Sequence, residues 1–140
     1  MENKIHKWLR LYMVVGIIMI IIIGYNIGKV KQKEILYEQC IEHLELAKLG
    51  FENYKEETFI THFIYGVEEF NAFTTLYIEL NNEDYALSVC NINDLLFNII
   101  VEDKIEVINI NKIIDSLNEL YVDIYDKEII DDILEEIEKL

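Results

Sequence analysis

The sequence of 140 residues has no proline, five dispersed glycines, two cysteines, three histidines and a single arginine, Arg10. Phosphate-binding loops need several glycines close together in the chain, and the dispersal of the glycines excludes such a loop. The lack of proline and the scarcity of arginine, together with abundant Ile, Asn, Glu and Tyr, are typical of proteins from AT-rich bacterial genomes. We therefore expect a bacterial source.

The histidines and acidic residues lack the spacing of the common metal sites. No HExxH motif occurs, and none of His6, His43 and His62 follows a glutamate by three residues, as the ExxH pair of a di-iron bundle requires. No DxDxDG run is present for a calcium-binding loop. We predict no metal and no cofactor. One group of acidic residues is interpreted as a solvated helix face, and the alternative is that this group binds Ca²⁺ weakly. That group comprises Asp123, Asp126, Glu128, Asp131 and Asp132.

Candidate nucleophiles have no supporting context. Ser88 and Ser116 lack a glycine elbow, and Cys40 has only His43 one helical turn away. The acidic surroundings should raise the pKa of the thiol and so lower its reactivity. We therefore predict that the protein is not an enzyme, and the sequence identifies no small-molecule substrate. A pH-sensing role for His62 would need a partner carboxylate, which the sequence does not identify.

The two cysteines leave two alternatives open. If helices one and three pack side by side outside the cytoplasm, Cys40 and Cys90 can form a disulfide across a loop of about fifty residues. Such a bridge would contribute about 4 kcal/mol in the chain-entropy description. The other alternative is a pair of buried free thiols, because Cα atoms more than about 7 Å apart cannot be bridged.

An uncharged apolar run extends from Leu11 to Tyr25 and is flanked by three basic residues on each side. Extension of the run to Trp8 and Ile27 gives about 30 Å of helix, which matches the hydrocarbon thickness of a membrane. The aromatic residues near its ends fit the interfacial belts of membrane proteins. We predict a basic tail at residues 1–10 and a transmembrane helix at 8–28. No small-x-small cleavage site follows, so we interpret the segment as an uncleaved signal anchor.

The flanking charges do not decide the orientation of this anchor, because the basic residues are equal in number on the two sides. The positive amino terminus and the length of the following domain favour a cytoplasmic N-terminus and an extracytoplasmic C-terminal domain at the cell membrane. Gly24 and Gly28 form a GxxxG pair. This pair is either a contact between two membrane helices or, given its place at the end of the run, a site of helix fraying.

Charge divides the chain sharply. Residues 1–33 carry a net charge of +5, and residues 34–140 carry −20. The acidic part repels nucleic-acid phosphates and anionic lipid headgroups alike, which excludes nucleic acid as a partner and keeps the domain off the bilayer surface. Basic protein surfaces are the partners that its charge favours.

Apolar residues recur at helical spacing after the membrane segment. We expect the first helix to end at Gly50, because glycine adopts the left-handed conformation that closes helices. Asn53 and Glu56 have the spacing of a capping box and predict the start of a second helix, whose aromatic stripe we interpret as core. The first stripe comprises Tyr37, Cys40, Ile41, Leu44, Ala47 and Phe51. The second comprises Phe59, Phe63, Gly66, Val67, Phe70, Phe73, Tyr77 and Leu80.

Three further helices are expected after a polar turn at residues 81–84. Glu102, Asp103 and Lys104 should end the third helix, and Asn111 and Asp126 should cap the fourth and fifth. The apolar stripe of the third helix comprises Ala86, Val89, Ile92, Leu96 and Ile99. The fourth has Ile113, Ile114, Leu117, Leu120, Tyr121 and Ile124, and the fifth has Ile129, Ile130, Ile133, Leu134, Ile137 and Leu140.

These patterns predict a mainly α protein, with a single N-terminal transmembrane helix followed by an up-and-down bundle of four or five helices. Residues 29–140 would form this acidic helical domain, which begins with a membrane-proximal helix. The alternative is an α+β domain with a short hairpin formed by residues 76–80 and 104–110. Residues 74–78 are rich in strand formers, and residues 104–110 alternate between apolar and polar.

The function predicted from the sequence is that of a single-pass, membrane-anchored interaction or scaffold protein, whose acidic domain engages a protein partner. One alternative is a homo-oligomeric structural element of the cell envelope. The other is an extracytoplasmic sensor or small-ligand-binding bundle, which the small number of polar groups in the aromatic stripe disfavours.

Overall fold

The computed structural model describes residues 2–80, 85–102, 104–105 and 109–138. Within these residues the chain forms five helices and no strand, which confirms the mainly α bundle. The α+β alternative is wrong, because residues 76–80 continue the second helix, whereas 106–108 lie outside the described residues. The helices are α1 at Glu2–Glu57, α2 at Ile60–Leu80, α3 at Tyr85–Val101, α4 at Ile110–Val122 and α5 at Lys127–Glu138.

The chain divides into two compact units, with the boundary between Ile35 and Leu36 inside α1. In the first unit every side chain from Tyr12 to Ile35 is exposed. The second unit has a continuous hydrophobic core that draws residues from all five helices. The predicted boundaries at residues 10 and 28 remain predictions.

The second unit is a bundle of antiparallel neighbours. The hydrogen bond between His43 and Glu69 and the contact between Gly50 and Gly66 show that α1 and α2 run in opposite directions. Beyond this pair, α2 packs on α3, α3 on α5, and α4 on α5. The largest fully buried side chains are Tyr77, Phe51, Phe63, Phe70, Phe73, Leu44, Ile92, Leu96, Leu117, Leu120, Ile124 and Ile130.

Gly50 does not end the first helix, and that prediction is wrong. Helix α1 continues to Glu57, and Gly50 lies where its backbone meets α2. A Cβ atom built on Gly50 would lie 2.6 Å from the Cα of Gly66, and one on Gly66 would lie 2.9 Å from a ring carbon of Phe51. The glycines therefore permit a close approach of two helix backbones.

The predicted capping box at Asn53 is also wrong, because Asn53 and Glu56 both lie inside α1. The chain reverses at Thr58, which has a φ of 56° and whose N–H donates to the carbonyl of Tyr54 at 2.8 Å. Phe59 follows in this connection and is 60% exposed, so the buried stripe of α2 begins at Phe63 instead. The rest of the predicted stripe is buried as expected.

Two threonines explain how strand-forming residues remain helical at the end of α2. The hydroxyl of Thr74 donates to the carbonyl of Phe70 at 2.8 Å, and that of Thr75 donates to the carbonyl of Asn71 at 3.0 Å. These bonds to the preceding turn satisfy the hydroxyl groups without leaving the helix. Thr74 can therefore be buried among apolar neighbours.

The last three helices follow most of the predicted stripes, with one shifted start. In the stripe of α4, Tyr121 is 42% exposed, so that part of the prediction is wrong, and Ile124 is buried just after the helix ends. Leu140 lies outside the described residues. The turn expected at residues 81–84 lies outside the described residues, and α3 ends at Val101 beside the predicted break. Helix α4 is capped by Asn109, whose Oδ1 accepts from the N–H of Lys112 at 3.4 Å, so the prediction of Asn111 is wrong. Asp126 is confirmed as the residue that precedes α5, and its Oδ1 accepts from the N–H of Glu128 at 3.0 Å.

Candidate functional site

The exposed apolar segment of α1 is the first candidate. By length and composition α1 can span a membrane, and it is the single helix of which this holds among the residues searched, all of them described. No part of its most apolar window is buried. The exposed apolar side chains of this window would be costly to keep in water, at roughly 25 cal/mol per Å² of apolar surface.

Aromatic residues lie at both ends of this segment. The rings of Trp8 and Tyr12 have centroids 6.4 Å apart, and the Nζ of Lys29 lies 5.8 Å above the ring of Tyr25. Gly24 and Gly28 have open space around them, since no atom lies within 4 Å of a Cβ built on either residue. This leaves their faces free, and the predicted contact between membrane helices remains a prediction.

A polar cluster joins α1 to α2 on the surface of the second unit. The Nδ1 of His43 lies 2.7 Å from the Oε2 of Glu69, whose side chain is 19% exposed. Desolvation, followed by the charge and hydrogen bond of Glu69, raises the pKa of Tyr65. Glu69 therefore contacts the side chains of both His43 and Tyr65, and its bond to His43 links α2 to α1.

His62 has the partner carboxylate that the sequence did not identify. Its Nε2 lies 2.8 Å from the Oε2 of Glu57, and its ring lies beside that of Phe59, with centroids 5.9 Å apart. Glu57 ends α1 and His62 lies in the first turn of α2, so this pair spans the connection between the two helices. The carboxylate is 57% exposed, which makes the interaction weak in water.

The two cysteines occupy different environments. Cys40 is a fully buried free thiol, and burial raises its pKa from 9.0 to about 12. Cys90 is a half-buried free thiol, and its pKa is raised by desolvation and then by the charge of Asp94. Neither environment stabilises a thiolate, the form that attacks substrates or binds metals. The bridge between Cys40 and Cys90 is a prediction that oxidation experiments can test.

An acidic groove lies between α4 and α5. It has a volume of about 470 Å³, and its carboxylates come from both helices and their connection. Two of these carboxylates are used for local structure, since Asp123 accepts from the N–H of Tyr125 at 2.9 Å and Asp126 accepts from that of Glu128 at 3.0 Å. Within the described part of the chain, no group of three or more His, Cys, Asp or Glu side chains has the geometry of a metal site.

A second groove lies between α2 and α3. Its volume is about 390 Å³, and across it the Nδ2 of Asn93 donates to the Oδ1 of Asn71 at 3.0 Å. Phe97 on its rim is 58% exposed, although it is a large aromatic residue. Most of the lining is apolar, and the polar pair of Asn71 and Asn93 lies at one end of the groove. Its lining residues are Ile64, Val67, Glu68, Asn71, Asn93, Phe97 and Ile100.

Protein-family models, curated proteins and solved structures gave no match to this chain. The candidate sites therefore depend on geometry alone.

The α2–α3 groove is the feature that the sequence patterns did not reveal. A signal was present, because Ile64, Asn71 and Ile78 form a second line along α2, seven residues apart. The aromatic stripe of α2 is a stronger pattern and accounts for the helix without this second line. The side of α3 that packs against this line depends on how the helices pair. That pairing depends on contacts between residues far apart in the chain, which the local apolar spacing does not specify.

Proposed function

We propose that this protein is a single-pass, membrane-anchored interaction or scaffold protein of the bacterial cell membrane, and that its acidic helical domain engages a protein partner. The observation that carries the proposal is the fully exposed apolar segment of α1, in the same chain as a bundle with its own complete core. A bundle that already buries its apolar stripes does not need this segment for stability. Insertion of the segment into a membrane explains its composition.

Charge supports a protein as the partner. Because residues 34–140 carry a net charge of −20, nucleic acids and anionic lipids are repelled, and a basic protein surface is attracted. Attraction of this kind weakens as salt shortens the Debye length. The proposal therefore requires an interaction that depends on salt.

Cross-linking in native membranes tests the proposal. A carbodiimide joins carboxylates directly to amines, which suits an acidic domain facing a basic partner. We expect one defined adduct at low salt and a clear decrease in its yield at about 0.5 M NaCl. Recovery of no defined adduct, or of an adduct whose yield does not change with salt, would contradict the proposed function.

We further propose that the protein is a signal anchor with its N-terminus in the cytoplasm and its acidic domain outside. A single cysteine introduced by Val122→Cys, with Cys40 and Cys90 replaced by alanine, should react with an impermeant maleimide in intact cells, because Val122 is 80% exposed. The matched substitution Asn3→Cys should react only after permeabilisation. The opposite pattern would reverse the orientation.

Self-association is the second candidate function, in the form of a homo-oligomeric element of the envelope. The GxxxG spacing of Gly24 and Gly28 supports it, since this spacing lets two membrane helices approach closely. Sizing of the purified protein in detergent should then show a dimer or larger species that Gly24→Leu disrupts. A single protomer at all concentrations would exclude this candidate.

A further inference from the structure

The α2–α3 groove, lined by the seven residues named above, has the geometry of a site for a third helix. The two helices are antiparallel, because Ile64 near the start of α2 lines the same cavity as Ile100 near the end of α3. Ile64, Glu68 and Asn71 on α2, with Val67 beside them, and Asn93, Phe97 and Ile100 on α3 recur at intervals of three or four, which places them in one row per helix. Two such rows form the surface on which an additional helix packs in helical bundles and helix-in-groove complexes.

The groove also contains a feature that selects one position of a docked helix. The hydrogen bond from Asn93 to Asn71 forms a polar layer at one end of the groove, next to the apolar layers at Phe97 and Ile100. A single polar layer of this kind favours one register, because a shifted partner would place apolar side chains against the amides. The Oδ1 of Asn93 is buried and has no hydrogen-bond partner within the described residues, and such an atom is costly to leave unsatisfied.

Phe97 supplies a large apolar contact at the rim. A phenylalanine that is 58% exposed does not serve the core of its own domain. Aromatic side chains beside a pocket are typical of the few residues that carry most of the energy of an interface. The neighbouring Ile64 and Ile100 are only partly covered, so the apolar surface of the groove extends beyond Phe97.

The charge around the groove identifies the chemistry of the occupant. From residue 56 to residue 103 the chain has ten Asp and Glu residues and no Lys or Arg, and both helices of the groove lie in this stretch. Glu68 lines the groove itself, and Asp94 is exposed next to Asn93. A second copy of this face would carry the same sign of charge, and an anionic lipid surface would be repelled. A basic protein segment is complementary.

We infer that the α2–α3 groove binds an amphipathic helix of a partner protein, with apolar residues at i, i+3 or i+4 and i+7 on one face and Lys or Arg beside them. This inference depends on the proposed function, because it names the site and the partner chemistry of that interaction. The apolar face enters the groove beside Phe97, and the basic residues meet the acidic surroundings.

Site-specific photo-cross-linking tests the inference in the full-length protein in its native membrane. Phe97 is replaced by p-benzoylphenylalanine, and the matched control carries the same replacement at Phe59, which is 60% exposed in the α1–α2 connection. We expect a defined adduct from position 97 and not from position 59. Mass spectrometry should place the adduct on a segment with the apolar spacing and flanking Lys or Arg described above. An adduct with a second copy of this chain, with lipid, or with a segment lacking that pattern would overturn the inference.

A pair of point variants separates the inference from the proposed function. Phe97→Asp should reduce carbodiimide adduct formation by about tenfold or more, as expected for loss of a central apolar contact, whereas Phe59→Asp should leave it unchanged. If the wild-type adduct forms but Phe97→Asp does not reduce it, the groove inference fails and the proposed function stands. If the wild-type chain forms no defined adduct, the proposed function itself fails. Circular dichroism of both variants checks that each is folded.

Discussion

Gly50 of α1 and Gly66 of α2 lie so close that a Cβ atom built on Gly50 would be 2.6 Å from the Cα of Gly66. The contacting atoms belong to the backbone, so no side chain can rotate away to make room. This crossing holds the two helices at the level where Phe51 and Phe63 pack edge to face, with ring centroids 5.3 Å apart. The pair therefore sets the distance between α1 and α2.

Gly50→Ala should destabilise the bundle. An added methyl group must separate the helices and loosen the aromatic contacts around Phe63, and overpacking of this kind costs about 1–3 kcal/mol. The matched control is Gly16→Ala, since no atom lies within 4 Å of a Cβ at Gly16 and this residue is not part of the Gly24/Gly28 pair. Thermal unfolding in detergent, followed by near-ultraviolet circular dichroism, should show a lower midpoint for Gly50→Ala alone. Equal midpoints for the two variants would refute the role given to the crossing.

Thr58→Gly should stabilise the bundle. Thr58 has a φ of 56°, and the left-handed region is unfavourable for a β-branched residue by about 1 kcal/mol or more. Glycine removes this strain, and part of the gain is offset because glycine has more freedom in the unfolded chain. We expect a net gain of about 0.5–1 kcal/mol in the free energy of unfolding from chemical denaturation. Thr61→Gly, at an exposed position in the first turn of α2, should instead lose about 0.3 kcal/mol, because glycine is a slightly weaker helix former than threonine. A loss in both variants would show that Thr58 is not strained.

The burial of Cys40 should make stability fall at alkaline pH. Its folded pKa is about 12 against an ordinary value of 9.0, so between these values the folded state holds a proton that the unfolded state has released. The stabilisation is therefore complete below pH 9.0 and is lost as the pH rises towards 12. The slope from this one group is at most about 1.4 kcal/mol per pH unit. Denaturant titrations at several pH values should show a flatter alkaline decline for Cys40→Ala than for the wild type, and parallel curves would contradict this account.

Much of the helical fold is encoded locally. The stripes of α2, α3, α4 and α5 could be predicted because the burial of each helix follows its own spacing of apolar residues. The helix ends were harder to predict. Asn109 and Asn111 carry the same capping group two residues apart, so the residue type alone does not indicate which of the two precedes α4.

Glycine shows most clearly why local signals fail. The residue type that ends helices is also the type that permits close crossings, and only the presence of Gly66, sixteen residues along the chain, distinguishes the two roles of Gly50. The α2–α3 groove is hidden for the same reason. The hydrogen bond across the groove joins Asn71 and Asn93, which belong to different helices. In the sequence, each of these residues alone is indistinguishable from an ordinary surface asparagine.

The thiol content can be measured directly. In the folded, unreduced protein we expect a maleimide to label Cys90, which is half-buried, and not Cys40, which is fully buried. In denaturant both thiols should react, and the count should be the same with and without prior reduction. Two thiols after reduction and none before it would establish the bridge between Cys40 and Cys90.

The hydrogen bond between His43 and Glu69 should contribute more to stability than that between His62 and Glu57. The carboxylate of Glu69 is 19% exposed and that of Glu57 is 57% exposed, so water screens the second pair more strongly. A double-mutant cycle with His43→Ala and Glu69→Gln should give a coupling of about 0.5–1.5 kcal/mol in the free energy of unfolding. The equivalent cycle with His62→Ala and Glu57→Gln should give less than about 0.5 kcal/mol. A larger coupling in the second cycle would mean that exposure does not control the strength of these pairs. The pair in the α1–α2 connection would then stabilise the contact between the two helices more than the His43–Glu69 pair does.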